Sequence, residues 1–468
     1  MNSISRKPCT ILKHPLILGT MILTVAGLLS RLIGFFYRIY LSRLFGEESM
    51  GIYQLISPVI SLAFSLCAAG YQTAVSKLSA ELAAKAGSPF DSATKKPLWI
   101  AIGISLPLSL ACSFVVHALA SPIGIFLLKE PRTIPLLRII SFSFPFVGIH
   151  ACINGWFYGM KKAGLPSAAQ LIEQLTRVGC VYLVTAKDIA VGNTPNISVA
   201  VLGLTLGEFV SMTFAIITFL PFCRERVIHK PANPNHRHDR SGFPCQFLYP
   251  ALTKGLLDTA LPLTANRLVL TFLGSAESVA IPEMLRRYGY DIPTSLAVYG
   301  VLTGMALPLI FFPNALTGSM AVMLLPMISE NHCLGNSVKV RSLTWQSLKY
   351  CALLGSICLI TFVLLGPFLG ACLFHSHLAG ECIRTLGFIC PFLYLDTALS
   401  SILQGLGKAT TLFFINVISL GVRLLFVYGM VPIYGLKGYL WGMLAGQLLL
   451  SLLFLLCLRY TLRTPCKS

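Results

Sequence analysis

Charged side chains are scarce in this chain. Asp, Glu, Lys and Arg make up 11% of its 468 residues, while hydrophobic types make up 55%. A soluble domain carries about 25% charged residues. No single core of this length could hide so much apolar side chain, so lipid must be the solvent for much of the surface. Acidic residues are the rarest charged type, 17 against 36 Lys and Arg, for a formal net charge of +19. No basic segment of domain size lies outside the apolar runs. That argues against nucleic acid as a partner and for basic loops that fix membrane topology. Catalytic signatures are missing too. There is no Walker A, GxSxG, HExxH or paired-carboxylate motif. The fifteen cysteines include no CxxC pair, and no His–Cys cluster has zinc spacing. Most, such as Cys67, Cys112, Cys358 and Cys457, sit in apolar runs and read as small packing residues.

What is present is a series of apolar runs. A spanning helix needs about 20 apolar residues. Twelve candidates lie near 16–41, 51–75, 98–120, 136–159, 165–186, 197–221, 249–273, 296–326, 344–366, 382–405, 410–430 and 436–458. The first run contains Arg31 and no small-residue cleavage pattern, so it reads as a retained helix rather than a signal peptide. Segment 222–248 is the most polar and reads as a cytoplasmic linker between halves 1–221 and 249–468. Its His229, His236 and His238 read as solvated loop residues rather than a metal site. With the amino terminus inside, the inner segments carry twenty Lys and Arg and the outer ones seven, which puts both termini in the cytoplasm.

The two halves resemble each other. A shift of 246 places Arg138 on Arg384, Pro145 on Pro391, Gly159 on Gly405, Lys162 on Lys408 and Arg177 on Arg423. A shift of 239 places Gly203, Gly207 and Glu208 on Gly442, Gly446 and Gln447. Each unit has an even number of helices, so both enter from the same side. The fold is therefore an all-α polytopic membrane protein of about twelve helices in two parallel-repeat halves. Such carriers bind substrate near mid-membrane and rock one half against the other.

Ionisable groups inside spanning helices cost about 2.5–3.5 kcal/mol and usually face a cavity or a partner. Arg31 and Arg38 stand seven residues apart, close to two turns, so they share one face of the first helix with Gly27 and Gly34. Asn266 and Arg267 lie in the seventh helix, the repeat partner of the first. These four are the candidate substrate-binding residues, since a guanidinium fork in a dry cleft suits phosphate. The repeated arginines Arg138, Arg177, Arg384 and Arg423 read as structural, with Glu173 placed to pair Arg177 within a helix. Asp258 is the candidate for Na⁺ or H⁺ coupling. A membrane enzyme would have only the segment 274–294, with Glu277, Glu283, Arg286, Arg287 and Asp291, for a polar cluster.

Residues 30–35 (SRLIGF) through Arg38, then 44–54 (LFGEESMGIYQ), together with the run from Pro308 to Glu330, resemble the stage V sporulation protein B group. That group belongs to the polysaccharide-transporter branch of the multidrug/oligosaccharidyl-lipid/polysaccharide (MOP) superfamily. The resemblance implies a flippase for an undecaprenyl-diphosphate-linked saccharide, a peptidoglycan or polysaccharide precursor, in spore cortex or cell-wall synthesis. It implies a bacterial cytoplasmic membrane with membrane lipids as surroundings. No cofactor is expected apart from Na⁺ or H⁺ coupling, and the chain is read as a monomer. Related lipid II flippases use arginines of the first and seventh helices in a basic cavity, a placement that Arg31, Arg38 and Arg267 match in kind. Many relatives have fourteen helices where this chain has twelve. A cation-coupled multidrug or small-molecule exporter and an integral-membrane enzyme of lipid metabolism are the alternatives.

Overall fold

The computed structural model describes residues 15–86, 92–224 and 245–463, and helix is their only regular structure. In lipid, every backbone polar group must be satisfied within its own segment, which helices do. The chain starts as one helical run, Pro15–Leu55, broken at Gly46 (φ 76°, ψ 177°), a backbone conformation that glycine adopts without strain. The break separates α1 (15–45) from α2 (47–86), which has a π-helical turn at Ser65–Ala69. The first half continues with α3 (Ala93–Ala118), α4 (Pro131–Ser141 and Ser143–Gly159, bent by 43°), α5 (Gly164–Ala190) and α6 (Ser198–Arg224). The second half holds α7 (Cys245–Tyr288), α8 (Ile292–Phe311 and Asn314–Cys333), α9 (Ser337–Phe374), α10 (His377–Gly405), α11 (Ala409–Gly429) and α12 (Leu436–Arg463).

Among the described residues, nine helical stretches are long and apolar enough to cross a membrane, or ten with the bent α4. The stretch Val25–Ala84 counts there as one span of 60 residues. At about 1.5 Å per residue it is too long for one crossing of a roughly 30 Å core, and Gly46 divides it into two. α5 fails the apolarity test because it carries Glu173, Arg177, Lys187 and Asp188. With these two resolved, the segments number twelve, as the hydropathy pattern predicts.

Several helices outrun their apolar cores: α2 reaches Ala86 rather than 75, and α9 spans Ser337–Phe374 rather than 344–366. Apolarity ends the seventh helix near 273, whereas α7 runs to Tyr288. Residues 274–288 are therefore helix and not loop. Glu277 and Glu283 interrupt the apolar run, but each meets a cation, Arg423 and Lys129 respectively. The ends of the 222–248 segment also continue α6 and α7; its middle, 225–244, with all three histidines, lies outside the described residues.

The duplication is visible as geometry. In each half a short helix precedes the main run of the fourth segment: Ile134–Ser141 before Ser143, and His377–Leu386 before Cys390. Arg138 and Arg384 stand exposed on these short helices. Pro145 and Pro391 follow in the first turn of each main run, where the missing N–H costs nothing.

The seam between the halves has two sides. On one, α2 packs along α7: Ser65 Oγ meets Thr271 Oγ1 at 3.0 Å, and Ser275 Oγ donates to the Pro58 carbonyl at 3.4 Å. On the other, α1 and the start of α2 lie against residues 292–306, while Asn314–Cys333 touches α1 at few points. Gly51 and Gly300 let this second contact close. A Cβ on Gly51 would overlap the Leu296 carbonyl, and one on Gly300 would overlap the backbone of Gly51. The Gly46 end is further tied by Arg43, which donates to the carbonyls of Leu373 (2.8 Å) and Cys372 (2.5 Å) at the end of α9. Lys129 meets Glu283 at 2.8 Å, and Arg132 bridges Glu48 and Glu130 at 2.7 Å each. Gly300→Leu should break this closure at a cost of about 1–3 kcal/mol, read as a lower thermal midpoint in detergent. An unchanged midpoint would show that the helices do not approach so closely.

Candidate substrate cavity

Beneath the Gly51–Gly300 crossing lies a cavity of about 720 Å³. Its walls come from α1, α2, α5 and α6 of the first half and α8 of the second. α1 contributes Ser30, Arg31, Gly34, Tyr37 and Arg38, one stripe of the helix. Gly34 keeps the stripe low between the two arginines. α2 adds Tyr53, Gln54 and Ser57; α5 adds Gln170, Gln174 and Arg177, which share a face at i, i+4 and i+7. From α8 come Thr303, Pro308 and Asn314.

Three guanidinium groups therefore face one space. Arg177 is held by Glu173 of its own helix at 2.5 Å. Arg31 and Arg38 have no carboxylate within ion-pair distance among the described residues. Arg31 reaches across the seam: its guanidinium nitrogens lie 3.8 and 3.9 Å from where a Cβ on Gly318 would be. Polar atoms around the cavity are also left open. Ser30 Oγ, Tyr37 Oη, Gln174 Oε1 and Arg177 Nε are buried without a hydrogen-bond partner. Asn314 Oδ1 accepts from Thr317 (2.5 Å) and Thr397 (2.9 Å), which fixes the amide and leaves its NH₂ for the cavity. The chemistry is that of an anion site with hydroxyl- and amide-reading neighbours.

The other lead helix is placed differently. α7 turns its Thr264–Thr271–Ser275 face onto α2, which leaves Asn266 and Arg267 exposed and outside the lining of this cavity. Asp258 is likewise exposed on α7 and lines no cavity described above. The repeated pair Arg177 and Arg423 also part company. Arg423 donates to Glu277 Oε1 from Nε (3.1 Å) and Nη2 (2.7 Å), and Tyr439 donates to the same oxygen at 3.2 Å. Arg423 and Glu277 are 23% and 5% exposed, so this pair is a buried brace between α11 and α7. Arg177 pairs within its own helix and is a cavity wall. Gln54, Gln170, Gln174 and Asn314 gave no signal in the sequence, because an amide in an apolar run costs too little to stand out.

A smaller cavity of about 350 Å³ adjoins, lined by Ser65, Ser143, Glu208 and Thr271 among others. Glu208 faces His150 at 3.8 Å, and His150 meets Ser211 and Asn154. Under the same shifts, His150 falls on Asp396 and Glu208 on Gln447, and Asp396 accepts from Gln447 and Ser451. Each half thus carries one buried polar knot between its fourth and sixth helices.

Two six-helix halves around a central basic cavity define a membrane transporter. The chain belongs to the polysaccharide biosynthesis protein family, whose family model matches residues 16–332, and with it to the MOP superfamily of transporters and flippases. It is 26% identical over 443 residues to stage V sporulation protein B of Bacillus subtilis (strain 168), covering 94% of this chain and 83% of that one. An inward-facing multidrug resistance MATE family transporter of the MOP superfamily shares its fold with a TM-score of 0.70 at 16% identity, over 92% of this chain and 94% of that one. The lipid II flippase MurJ, in an inward closed conformation, shares it with a TM-score of 0.68 at 15% identity, over 94% and 87%.

The two classes of arginine should separate by stability. Arg423→Gln strands a buried carboxylate and should cost about 3–5 kcal/mol. Arg31→Gln should change the thermal midpoint little, by the equivalent of about 0.5 kcal/mol. Equal losses in thermal melts of the two variants would contradict the division.

Proposed function

We propose that this protein flips a polyprenyl-diphosphate-linked saccharide, a precursor of peptidoglycan or of another wall polysaccharide, across the bacterial cytoplasmic membrane. The observation that carries the reading is the pair Arg31 and Arg38, unpaired by carboxylate among the described residues and facing a cavity of about 720 Å³. Small-ligand sites run to roughly 300–1,000 Å³, so the cavity suits a head group and not a long prenyl tail. The diphosphate takes the guanidinium forks. The amides of Gln54, Gln170, Gln174 and Asn314 take sugar hydroxyls. The tail stays in lipid, leaving on the side where α1 stands away from Asn314–Cys333 and exposes Val25, Leu28, Leu29 and Leu32.

The cycle is a rocking of halves 1–221 and 249–468. A bound diphosphate offsets the repulsion among the arginines that line the cavity and so favours the state that wraps it by differential binding. The reading places both termini in the cytoplasm and the Gly46 end outside. Lys129 and Arg132, counted there as outer charges, are each paired with Glu. A cell interior negative by 100 mV assists outward movement of an anion by about 2.3 kcal/mol per charge. Kinship with stage V sporulation protein B supports a role in spore cortex or wall synthesis.

A cation-coupled exporter is the second reading. Glu208 favours it more than Asp258 does, because Glu208 lines a cavity and Asp258 is exposed. The two readings separate in a strain lacking its wall-precursor flippase. Arg31→Ala and Arg38→Ala should each abolish complementation while the protein still reaches the membrane. Full complementation by both would remove the cavity assignment. Loss with Glu208→Gln, combined with full activity of both arginine variants, would favour the exporter. Arg267→Ala tests whether α7 turns its arginine inward at another stage of the cycle.

A further inference from the structure

A second cavity, of about 380 Å³, opens on the seam between the halves away from the central cavity. It follows α7 from Phe272 to Arg287, about 22 Å at 1.5 Å per residue. Pro58, Val59 and Leu62 of α2 form one wall, and Phe272, Ala276 and Val279 of α7 the other. Tyr428 of α11 and Phe272 are 56% and 64% exposed, so the slot opens sideways, toward lipid.

Its far end is charged. Lys129, Arg286, Arg287 and Glu283 line it, three cations against one carboxylate. Glu283 is shared between Lys129 at 2.8 Å and Arg287 at 3.8 Å. Arg286 spends one N–H on the Lys129 carbonyl at 3.2 Å, and its Nε and Nη2 are buried without a partner. These arginines stand in the last turn of α7, where a spanning helix meets the head-group layer. An apolar slot of chain length that ends, at that depth, in three cations sharing one carboxylate complements a lipid with an anionic head.

We propose that this notch binds a phosphate-headed anionic membrane lipid, its acyl chain along the α2–α7 seam and its phosphate among Lys129, Arg286 and Arg287. The phosphate then competes with Glu283 for Lys129. The Lys129–Glu283 pair ties the turn before α4 to α7, so occupancy loosens one of the ties that close the Gly46 end. The site is separate from the central cavity and stands or falls independently of the saccharide reading.

The test is native mass spectrometry of the full-length protein in detergent, titrated with phosphatidylglycerol or phosphatidylcholine. Wild type should retain phosphatidylglycerol in preference. Arg286→Gln with Arg287→Gln should weaken that retention about tenfold, the worth of one or two charge-assisted hydrogen bonds. Ala276→Trp, which fills the slot and keeps every charge, should weaken it as well, while phosphatidylcholine is unaffected in all forms. If a variant fails to fold, photoreactive phosphatidylglycerol on wild type decides, and should label peptides holding residues 58–62 and 272–279. Equal retention of the two lipids, labelling elsewhere, or unchanged binding in both variants would overturn the proposal. Full displacement by inorganic phosphate would overturn it too, in favour of a free-anion site.

Discussion

A guanidinium without a counter-charge is expensive inside a membrane, and α1 brings two of them to one cavity. The rest of the structure is arranged around that expense. Gly34 lowers the helix surface between Arg31 and Arg38. Glu173 neutralises Arg177 but leaves the other two open. The Gly51–Gly300 crossing and the ties of Arg43 and Lys129 close the space at one end. What remains is a basic pocket whose charge is best met by an anion brought from outside the protein.

The duplication explains why only one half does this. Counted back by 246 residues, the shift shared by the fourth and fifth segments, Glu277 falls on Arg31. Where the second half places a carboxylate on its lead helix to neutralise Arg423, the first half places arginine. The same shifts turn the His150–Glu208 knot into Asp396–Gln447. One unit braces its lead helix with an ion pair and the other turns arginines of its lead helix to a cavity, on one backbone plan. Rocking two such units needs no new fold, only a substrate that interacts differently with the open and closed seams.

Much of this was legible in the sequence, and for physical reasons. Arg31 and Arg38 are conspicuous because a charge in an apolar run is costly, and their spacing alone puts them on one face. The shift of 246 survives because the fourth segment needs the same short helix, break and proline in both halves. Less legible was whatever depends on neighbours. The facing of Asn266 and Arg267 is set by which side of α7 packs on α2, and periodicity does not reveal that choice. The length of α7 was missed because hydropathy counts Glu277 and Glu283 as penalties, though both are paired. The amides of α2, α5 and α8 were missed because they carry no cost that a composition window registers.

Anion binding at the α1 arginines is directly testable. Its most direct measurement is equilibrium binding of a short-chain prenyl diphosphate to the purified protein at several salt concentrations. Saturable binding that weakens as salt screens the charges, and that is lost in Arg31→Gln with Arg38→Gln while the fold is kept, is the expected result. Binding that ignores both the salt and the two substitutions would contradict it.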